Sequence, residues 1–236
     1  MCAVPAVPDH HHRNVQGGGA RAAVFGISDG LVSNVALVLG MAGAHASAHT
    51  IRLAGVAGLI GGAFSMAAGE YVSMRAQTEL MERELDVERV ALNDEPDLER
   101  NELAAIYRER GLEPQLAEEL AAKMMRNPEI ALETHAREEL GIDPNQLGNP
   151  VQAAVSSFVT FALGAFIPLL PWLLASGTPA LVGSLVLTAV ASLAVGTALA
   201  VFTGRNRVWS ACRQLLISGM AAGVTFLIGH LIGGIA

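Results

Sequence analysis

Residues 151–204 read VQAAVSSFVTFALGAFIPLLPWLLASGTPALVGSLVLTAVASLAVGTALAVFTG and contain no Asp, Glu, Lys, Arg or His. A helix needs roughly 20 apolar residues to cross the hydrocarbon core of a bilayer, and this run is more than twice that length. The turn-forming residues 176–179, Ser-Gly-Thr-Pro, divide it into two halves. The run also lacks the alternation of apolar and polar residues that a membrane barrel needs. It therefore predicts two transmembrane helices joined by a tight turn.

Three further apolar segments have the length of a membrane span. They cover about 22–44, about 53–74, and about 214 to the C-terminus. The whole composition agrees, since only 16% of the residues are charged, whereas a soluble domain typically carries about 25%. The predicted fold class is an all-α membrane protein with five transmembrane helices and an inserted helical domain.

The inserted segment, residues 76–147, is strongly acidic. It holds 19 of the 22 acidic residues but 8 of the 15 basic ones, which gives it a formal charge of −11. A nucleic-acid partner is excluded because phosphate requires a basic surface. The segment from Met74 to Leu92 has no Gly or Pro, so the second span is expected to continue as a helix until Pro96. Three shorter helices are predicted after it, at about 97–110, 114–126 and 128–140.

The chain is thus divided into four parts. They are a disordered tail at 1–21, transmembrane helices at 22–75, a cytosolic acidic helical metal-binding domain at 76–147, and transmembrane helices at 148–236. Basic residues of short flanks mark the cytoplasmic side. One side carries Arg13, Arg21, Arg205, Arg207 and Arg213, and the other carries Arg52. The N-terminus and the insert are therefore predicted to be cytoplasmic.

Two acidic residues lie inside apolar spans, Asp29 in the first and Glu70 in the second. A charged side chain in hydrocarbon costs roughly 2.5–3.5 kcal/mol, so such residues usually face a cavity or a pathway. Met66 shares a helix face with Glu70, and its thioether shifts metal preference towards later transition metals. Asp29, Met66 and Glu70 are therefore candidate ligands of a transport site. The alternatives are a structural hydrogen bond for Asp29, snorkelling for Glu70 and apolar packing for Met66.

The insert contains three pairs of candidate ligands at helical spacing. They are Glu84 with Glu88, Glu99 with Glu102, and His135 with Glu139. Each pair lies on one helix face, so three converging faces could bind divalent cations. The alternative is a solvated acidic surface.

Paired small residues are frequent in the spans. The pairs are Gly26 with Gly30, Gly58 with Gly62, Gly219 with Gly223, and Gly229 with Gly233. Such spacing lets helix backbones approach closely. Most of these pairs are expected to pack within one bundle, and one could serve a dimer interface.

The sequence lacks the motifs of nucleotide-binding proteins, hydrolases and di-iron oxidases. No phosphate loop occurs, which predicts no nucleotide partner, and no hydrolase signature is present. The acidic segment has no Glu-x-x-His, which argues against a di-iron oxidase site. Transport would then be driven by a gradient, because an intramembrane carboxylate can exchange a proton for a metal ion.

Taken together, FGISDGLVSN at 25–34, SMAAGEYVSMRAQ at 65–77 and the Glu-rich insert that ends in EELGI resemble the vacuolar iron transporter family. The resemblance covers nearly the whole chain after Arg21. It implies a homodimer with five membrane helices and a cytosolic metal-binding domain. The implied activity is export of Fe²⁺, and also Mn²⁺ in some members, from the cytosol in exchange for protons. Metal is then a substrate, and no prosthetic group is implied.

The resemblance also assigns roles to residues. Asp29 and Met66 would line the transport site at the dimer interface, with Glu70 beside them. Metal-binding glutamates of the insert would be Glu88, Glu99, Glu102 and Glu139. The sequence departs from the family pattern twice, with Ala91 in place of a further glutamate and His135-Ala136 in place of a methionine pair. Because imidazole also binds Fe and Mn, the site would survive in altered form.

The sequence therefore predicts a proton-coupled divalent metal transporter and not an enzyme. The alternatives are a membrane-anchored iron oxidase and a metal sensor that does not transport. A bacterial inner membrane is the expected location, because no targeting peptide is visible at the N-terminus. In a eukaryote the location would be a vacuolar or other organelle membrane.

Overall fold

The computed structural model describes residues 19–234, and this part of the chain is helical without strands. The helices are α1 Gly19–Gly43, α2 Ala48–Asp94, α3 Pro96–Glu109, α4 Pro114–Met124, α5 Pro128–Glu138, α6 Pro150–Leu174, α7 Gly177–Thr203 and α8 Arg207–Gly233. Five of them, α1, α2, α6, α7 and α8, are long and apolar enough to cross a membrane. The predicted fold class of an all-α membrane protein is confirmed.

The helix starts follow local capping chemistry. A proline stands in the first turn of α3, α4, α5 and α6, where its missing N–H leaves no hydrogen bond unmade. The side chains of Asn127, Asn149 and Asn206 accept backbone N–H groups at the starts of α5, α6 and α8. Past the ends of α3 and α5, Gly111 and Gly141 have positive φ angles, as is typical of helix C-termini. These features explain why the insert forms three short helices.

The prediction for α2 is confirmed, while two boundaries differ from the prediction. One uninterrupted helix, α2, runs from the membrane region into the insert and ends just before Pro96. In contrast, α1 begins at Gly19, inside the predicted tail, and the hydroxyl of Ser156 donates to the Gly19 carbonyl at 3.0 Å. The rest of that tail, residues 1–18, lies outside the described residues. The last helix begins at Arg207 and not near Gln214, because the Asn206 cap starts the helix about two turns before the apolar run.

In the membrane region α1 is the most buried of the five long helices. It packs chiefly against α6 and α8, while α2 packs on α6, and α7 packs on α8 and α6. The largest buried cluster joins Val35, Val38 and Leu39 of α1 to Leu169 and Trp172 of α6. Because α1 is held by these neighbours, the side chains along its edge also have fixed positions.

Glycines bring the helix axes together. A methyl group on Gly30 would lie 2.9 Å from the backbone nitrogen of Ala165, and one on Gly164 would lie 2.9 Å from that of Leu31. In the same way, Gly229 meets the backbone of α1 at Gly40, and Gly233 meets the backbone of Ala44, just after α1. The pair Gly58 and Gly62 meets side chains instead. The expectation that most small-residue pairs pack within the bundle is confirmed.

One pair is different. A methyl group on Gly219 or Gly223 would meet nothing within 4 Å. Both glycines lie on an exposed face of α8. A methyl group at either position would therefore contact no other helix within the described residues.

Arg52 has a structural role at the end of the bundle opposite the insert. Its guanidinium donates from Nε to the carbonyl of Trp172 and from Nη2 to that of Ala175, the latter at 3.0 Å. These carbonyls belong to the last turn of α6 and its cap, where backbone acceptors lack helical partners and a cation is favoured. Arg52, the single basic residue predicted on that side of the membrane, thus caps the C-terminal end of α6.

The close approach of α1 and α6 can be tested by substitution. Replacing Gly164 with Ala (Gly164→Ala) should lower the free energy of unfolding by about 1–3 kcal/mol, because the added methyl overpacks a backbone contact. The midpoint of thermal unfolding in detergent measures this loss. The matched control is Gly219→Ala, which should leave the midpoint unchanged. Equal midpoints for the two variants would contradict the packing described for α1 and α6.

Candidate metal sites

A cavity of about 340 Å³ lies between α1 and α2 in the membrane region. Its lining residues are Phe25, Asp29, Ser33, Asn34, Leu37, Gly58, Gly62, Ser65, Met66 and Phe161. Asp29 and Met66, predicted from the sequence, therefore share one cavity. Asp29 is the only ionisable residue among those that line it. The cavity thus combines one carboxylate and one thioether with neutral hydroxyl and amide groups.

The helix periodicity explains the lining. Phe25, Asp29, Ser33 and Leu37 follow one another at intervals of four on α1, so they form one stripe along the helix. Gly58, Gly62 and Met66 form a similar stripe on α2. The two glycines leave room where larger side chains would fill the space.

Glu70 lies outside this cavity lining. Its Oε2 atom is 3.6 Å from Nη2 of Arg21, and the Glu70 side chain is 14% exposed. No hydrogen bond reaches this Oε2 atom within the described residues. The structure therefore places Glu70 beside the first turn of α1, whereas Asp29 and Met66 lie together.

Asn34 is a cavity residue that the sequence analysis missed. It is buried, and its amide donates from Nδ2 to the Ala165 carbonyl at 2.6 Å. The available signal was an amide five residues after Asp29, within the stretch FGISDGLVSN. A charge inside an apolar span was the criterion, and this criterion selects Asp29 but not the neutral amide of Asn34.

A second site forms in the insert, where Glu88, Glu99, His135 and Glu139 converge. Each offers one ligand atom, and these four atoms lie within 4.8 Å of one another. We call these four residues the acidic cluster. Nδ1 of His135 is 3.2 Å from a Glu88 oxygen, 3.6 Å from a Glu99 oxygen and 3.4 Å from a Glu139 oxygen. One imidazole nitrogen thus faces three carboxylates.

Three helices position the acidic cluster. Glu88 projects from the extension of α2, Glu99 from the first turn of α3, and His135 from the last turn of α5. Arg110, just after α3, forms an ion pair with Glu138 and also donates to its carbonyl at 3.2 Å. This contact fixes the end of α5 beside α3, and so it holds His135 in place.

Three members of the acidic cluster are buried and the fourth is partly exposed. His135 is fully buried, the side chains of Glu88 and Glu99 are 8% and 9% exposed, and that of Glu139 is 31% exposed. Nε2 of His135 has no hydrogen-bond partner within residues 19–234, and Oε1 of Glu88 has only its 3.2 Å ion-pair contact with Nδ1 of His135 there. Buried polar atoms normally have partners. The converging imidazole nitrogen and carboxylate oxygens form a donor set that suits a divalent metal ion.

Burial raises the pKa of Glu88, and the carboxylates of Glu139 and Glu99 add to the rise, while His135 opposes it. Burial also raises the pKa of Glu99, where Glu102 and Glu139 add to the rise and His135 again opposes it. Both carboxyl groups therefore keep their protons to a higher pH than an ordinary glutamate. A bound divalent cation would favour their ionised forms.

Two of the glutamates predicted for the insert lie outside this group. Glu84 and Glu102 are not among the four residues whose ligand atoms converge. Glu102 is still close enough to affect the pKa values of Glu88 and Glu99. The pair on α2 contributes Glu88 to the acidic cluster, and the pair on α3 contributes Glu99. From α5, both His135 and Glu139 join it.

Comparisons with known proteins agree with these observations. A family model described as the VIT family matches residues 20–230. The "Vacuolar iron transporter" of Acanthamoeba castellanii is 36% identical, over 96% of this chain and 84% of that protein. The "Vacuolar iron transporter" of Centaurea cyanus is 33% identical, over 91% of this chain and 88% of that protein.

A third relative, "Vacuolar iron transporter 1" of Arabidopsis thaliana, is 31% identical over 95% of this chain and 91% of its own length. These are names of transporters and not of enzymes. Both the family model and the relatives span the membrane helices together with the acidic insert. The chain therefore belongs to the VIT family.

Proposed function

We propose that this protein moves Fe²⁺, and also Mn²⁺, across a membrane. The observation that carries the proposal is the shared cavity of Asp29 and Met66 between two membrane helices. A carboxylate and a thioether form a mixed site, and such a site suits borderline ions better than Mg²⁺ or Ca²⁺. The names of the relatives, all vacuolar iron transporters, support iron as the substrate.

We assign capture of the metal to the acidic cluster. Residues 76–147 would form a cytosolic domain whose charge of −11 attracts cations. Glu88, Glu99, His135 and Glu139 would hold the ion before it enters the membrane region. Glu70, which lies between Met66 and Glu88 along α2, would offer a further carboxylate between the two sites.

The driving force in this proposal is a proton gradient. A proton that binds the Asp29 carboxylate removes the charge that holds the metal, so proton entry and metal release are coupled at one group. The direction would be export from the cytosol, because the acidic insert faces the side that supplies metal. In a bacterial inner membrane, export would remove excess metal from the cell, and in an organelle membrane it would fill the organelle.

A homodimer fits the position of the cavity. The cavity lies at the edge of the bundle, where Phe25 and Leu37 of α1 and Phe64 of α2 are exposed. A second copy placed against this edge would enclose the cavity and supply another Asp29 and Met66. The metal path would then run between two protomers.

The first prediction concerns Asp29. The variant Asp29→Ala should abolish Fe²⁺ uptake into sealed proteoliposomes under anaerobic conditions, because the cavity loses its only charged ligand. Asp94→Ala, which removes an exposed aspartate at the end of α2, is the matched control and should transport normally. Elution volume and unfolding temperature establish that both variants fold. Undiminished uptake in Asp29→Ala would overturn the proposed mechanism.

The second prediction separates the acidic cluster from the other glutamates of the insert. Glu88→Gln should weaken Mn²⁺ binding by about 10- to 100-fold, the range seen when a metal site loses a supporting group. Glu84→Gln, one helical turn away, should change the affinity little. Isothermal titration of the full-length protein measures both. Equal effects would favour a diffuse acidic surface.

The third prediction concerns pH. Metal ions bind deprotonated ligands, so acidification should release Mn²⁺ from the acidic cluster. Because burial raises the pKa values of Glu88 and Glu99, this loss should begin above the ordinary glutamate value of about 4.3. Titration of affinity against pH tests this. An affinity that stays constant until about pH 4.3 would contradict the described environment.

A further inference from the structure

Asn34 has a buried acceptor atom without a partner. The residue is 2% exposed, and its Oδ1 atom forms no hydrogen bond within the described residues. Most buried polar atoms in proteins do have a partner. The same residue lines the cavity that contains Asp29 and Met66. The unpartnered atom therefore lies next to a site where a cation is expected.

The orientation of the Asn34 amide is fixed. Its other end lies 2.6 Å from the Ala165 carbonyl, which can only accept a hydrogen bond. The NH₂ group must therefore face Ala165, and the oxygen must face away from it. A methyl group on Gly58 of α2 would lie 3.1 Å from Oδ1. The oxygen thus points from α1 towards Gly58 of α2, which also lines the cavity.

The chemistry of this atom complements that of its neighbours. An amide oxygen is a hard, neutral ligand, whereas the thioether of Met66 is soft. It carries no charge, so it strengthens binding without adding a second anion to the membrane interior, and it does not titrate. Mn²⁺ and Fe²⁺ accept oxygen ligands readily, while Cd²⁺ prefers sulfur.

We propose that Asn34 Oδ1 is a direct ligand of the transported cation, beside Asp29 and Met66. In this role it favours Mn²⁺ and Fe²⁺ over softer ions. The inference rests on the proposed function, since it concerns the same cavity. Its structural basis is the hydrogen bond to Ala165, which aims the oxygen at α2.

The test is the ratio of Mn²⁺ to Cd²⁺ affinity, measured by isothermal titration of the full-length protein. Glu88→Gln and His135→Gln are included in every sample to weaken binding at the acidic cluster. Asn34→Ala should lower Mn²⁺ affinity by about 10- to 100-fold. Cd²⁺ affinity should change by no more than about threefold, because the thioether remains.

A second variant tests the proposal without changing Asn34, in case Asn34→Ala does not fold. Gly58→Ala keeps the hydrogen bond to Ala165 and adds a methyl group 3.1 Å from Oδ1; the end of the flexible Leu37 side chain, 2.5 Å from that methyl group, must turn aside. It should lower the affinity ratio in the same direction, and it decides the question if Asn34→Ala does not fold. Ser157→Ala is the control, since it removes a buried, unpartnered hydroxyl that does not line the cavity.

The outcomes are distinct. A lowered ratio in the folded variants with a normal ratio in Ser157→Ala supports the inference. An unchanged ratio, or an equal loss of both metals, overturns it and leaves Asn34 as a packing residue. Absence of Fe²⁺ uptake by the unmodified protein would contradict the proposed transport, whereas the affinity ratio would still be measurable. The two claims therefore fail separately.

Discussion

The backbone contact between α1 and α6 is the constraint on which the membrane site depends. Gly30 and Gly164 let the two helices approach until no methyl group fits between them. At this distance the Asn34 amide donates a hydrogen bond to the Ala165 carbonyl. This hydrogen bond fixes the rotation of α1. Because α1 is fixed, Asp29 faces α2 and shares the cavity with Met66. The position of an intramembrane carboxylate thus follows from two residues that have no side chain.

Helix α2 connects the two candidate metal sites. Met66 and Glu88 lie on this one continuous helix, about 33 Å apart by the helix rise of about 1.5 Å per residue. A rigid helix can keep a capture site and a membrane site at a constant separation, and it can transmit a rotation from one to the other. The insert is anchored again where the hydroxyl of Thr78 donates to the Leu147 carbonyl at 3.1 Å. The chain therefore leaves and re-enters the membrane region at neighbouring points.

Hydropathy and breaker residues were sufficient to predict five spans, the acidic insert and the continuation of α2, because these depend on local properties. They misplaced the start of α8, where the Asn206 cap extends the helix beyond the apolar run. Helical spacing identified every member of the acidic cluster, but it could not separate Glu88 from Glu84, since that choice depends on packing against α3 and α5. The orientation of the Asn34 amide depends on a carbonyl 131 residues away, and no local pattern indicates that contact.

In the proposed mechanism a metal ion occupies the cavity of Asp29 and Met66 during transport. Anomalous X-ray diffraction from crystals soaked in Mn²⁺ would locate such an ion without any assumption about flux. We expect one anomalous peak between Asp29 and Met66 and a second one within the acidic cluster. A peak in the acidic cluster alone, with the cavity empty at saturating Mn²⁺, would contradict metal binding at Asp29 and favour a metal sensor.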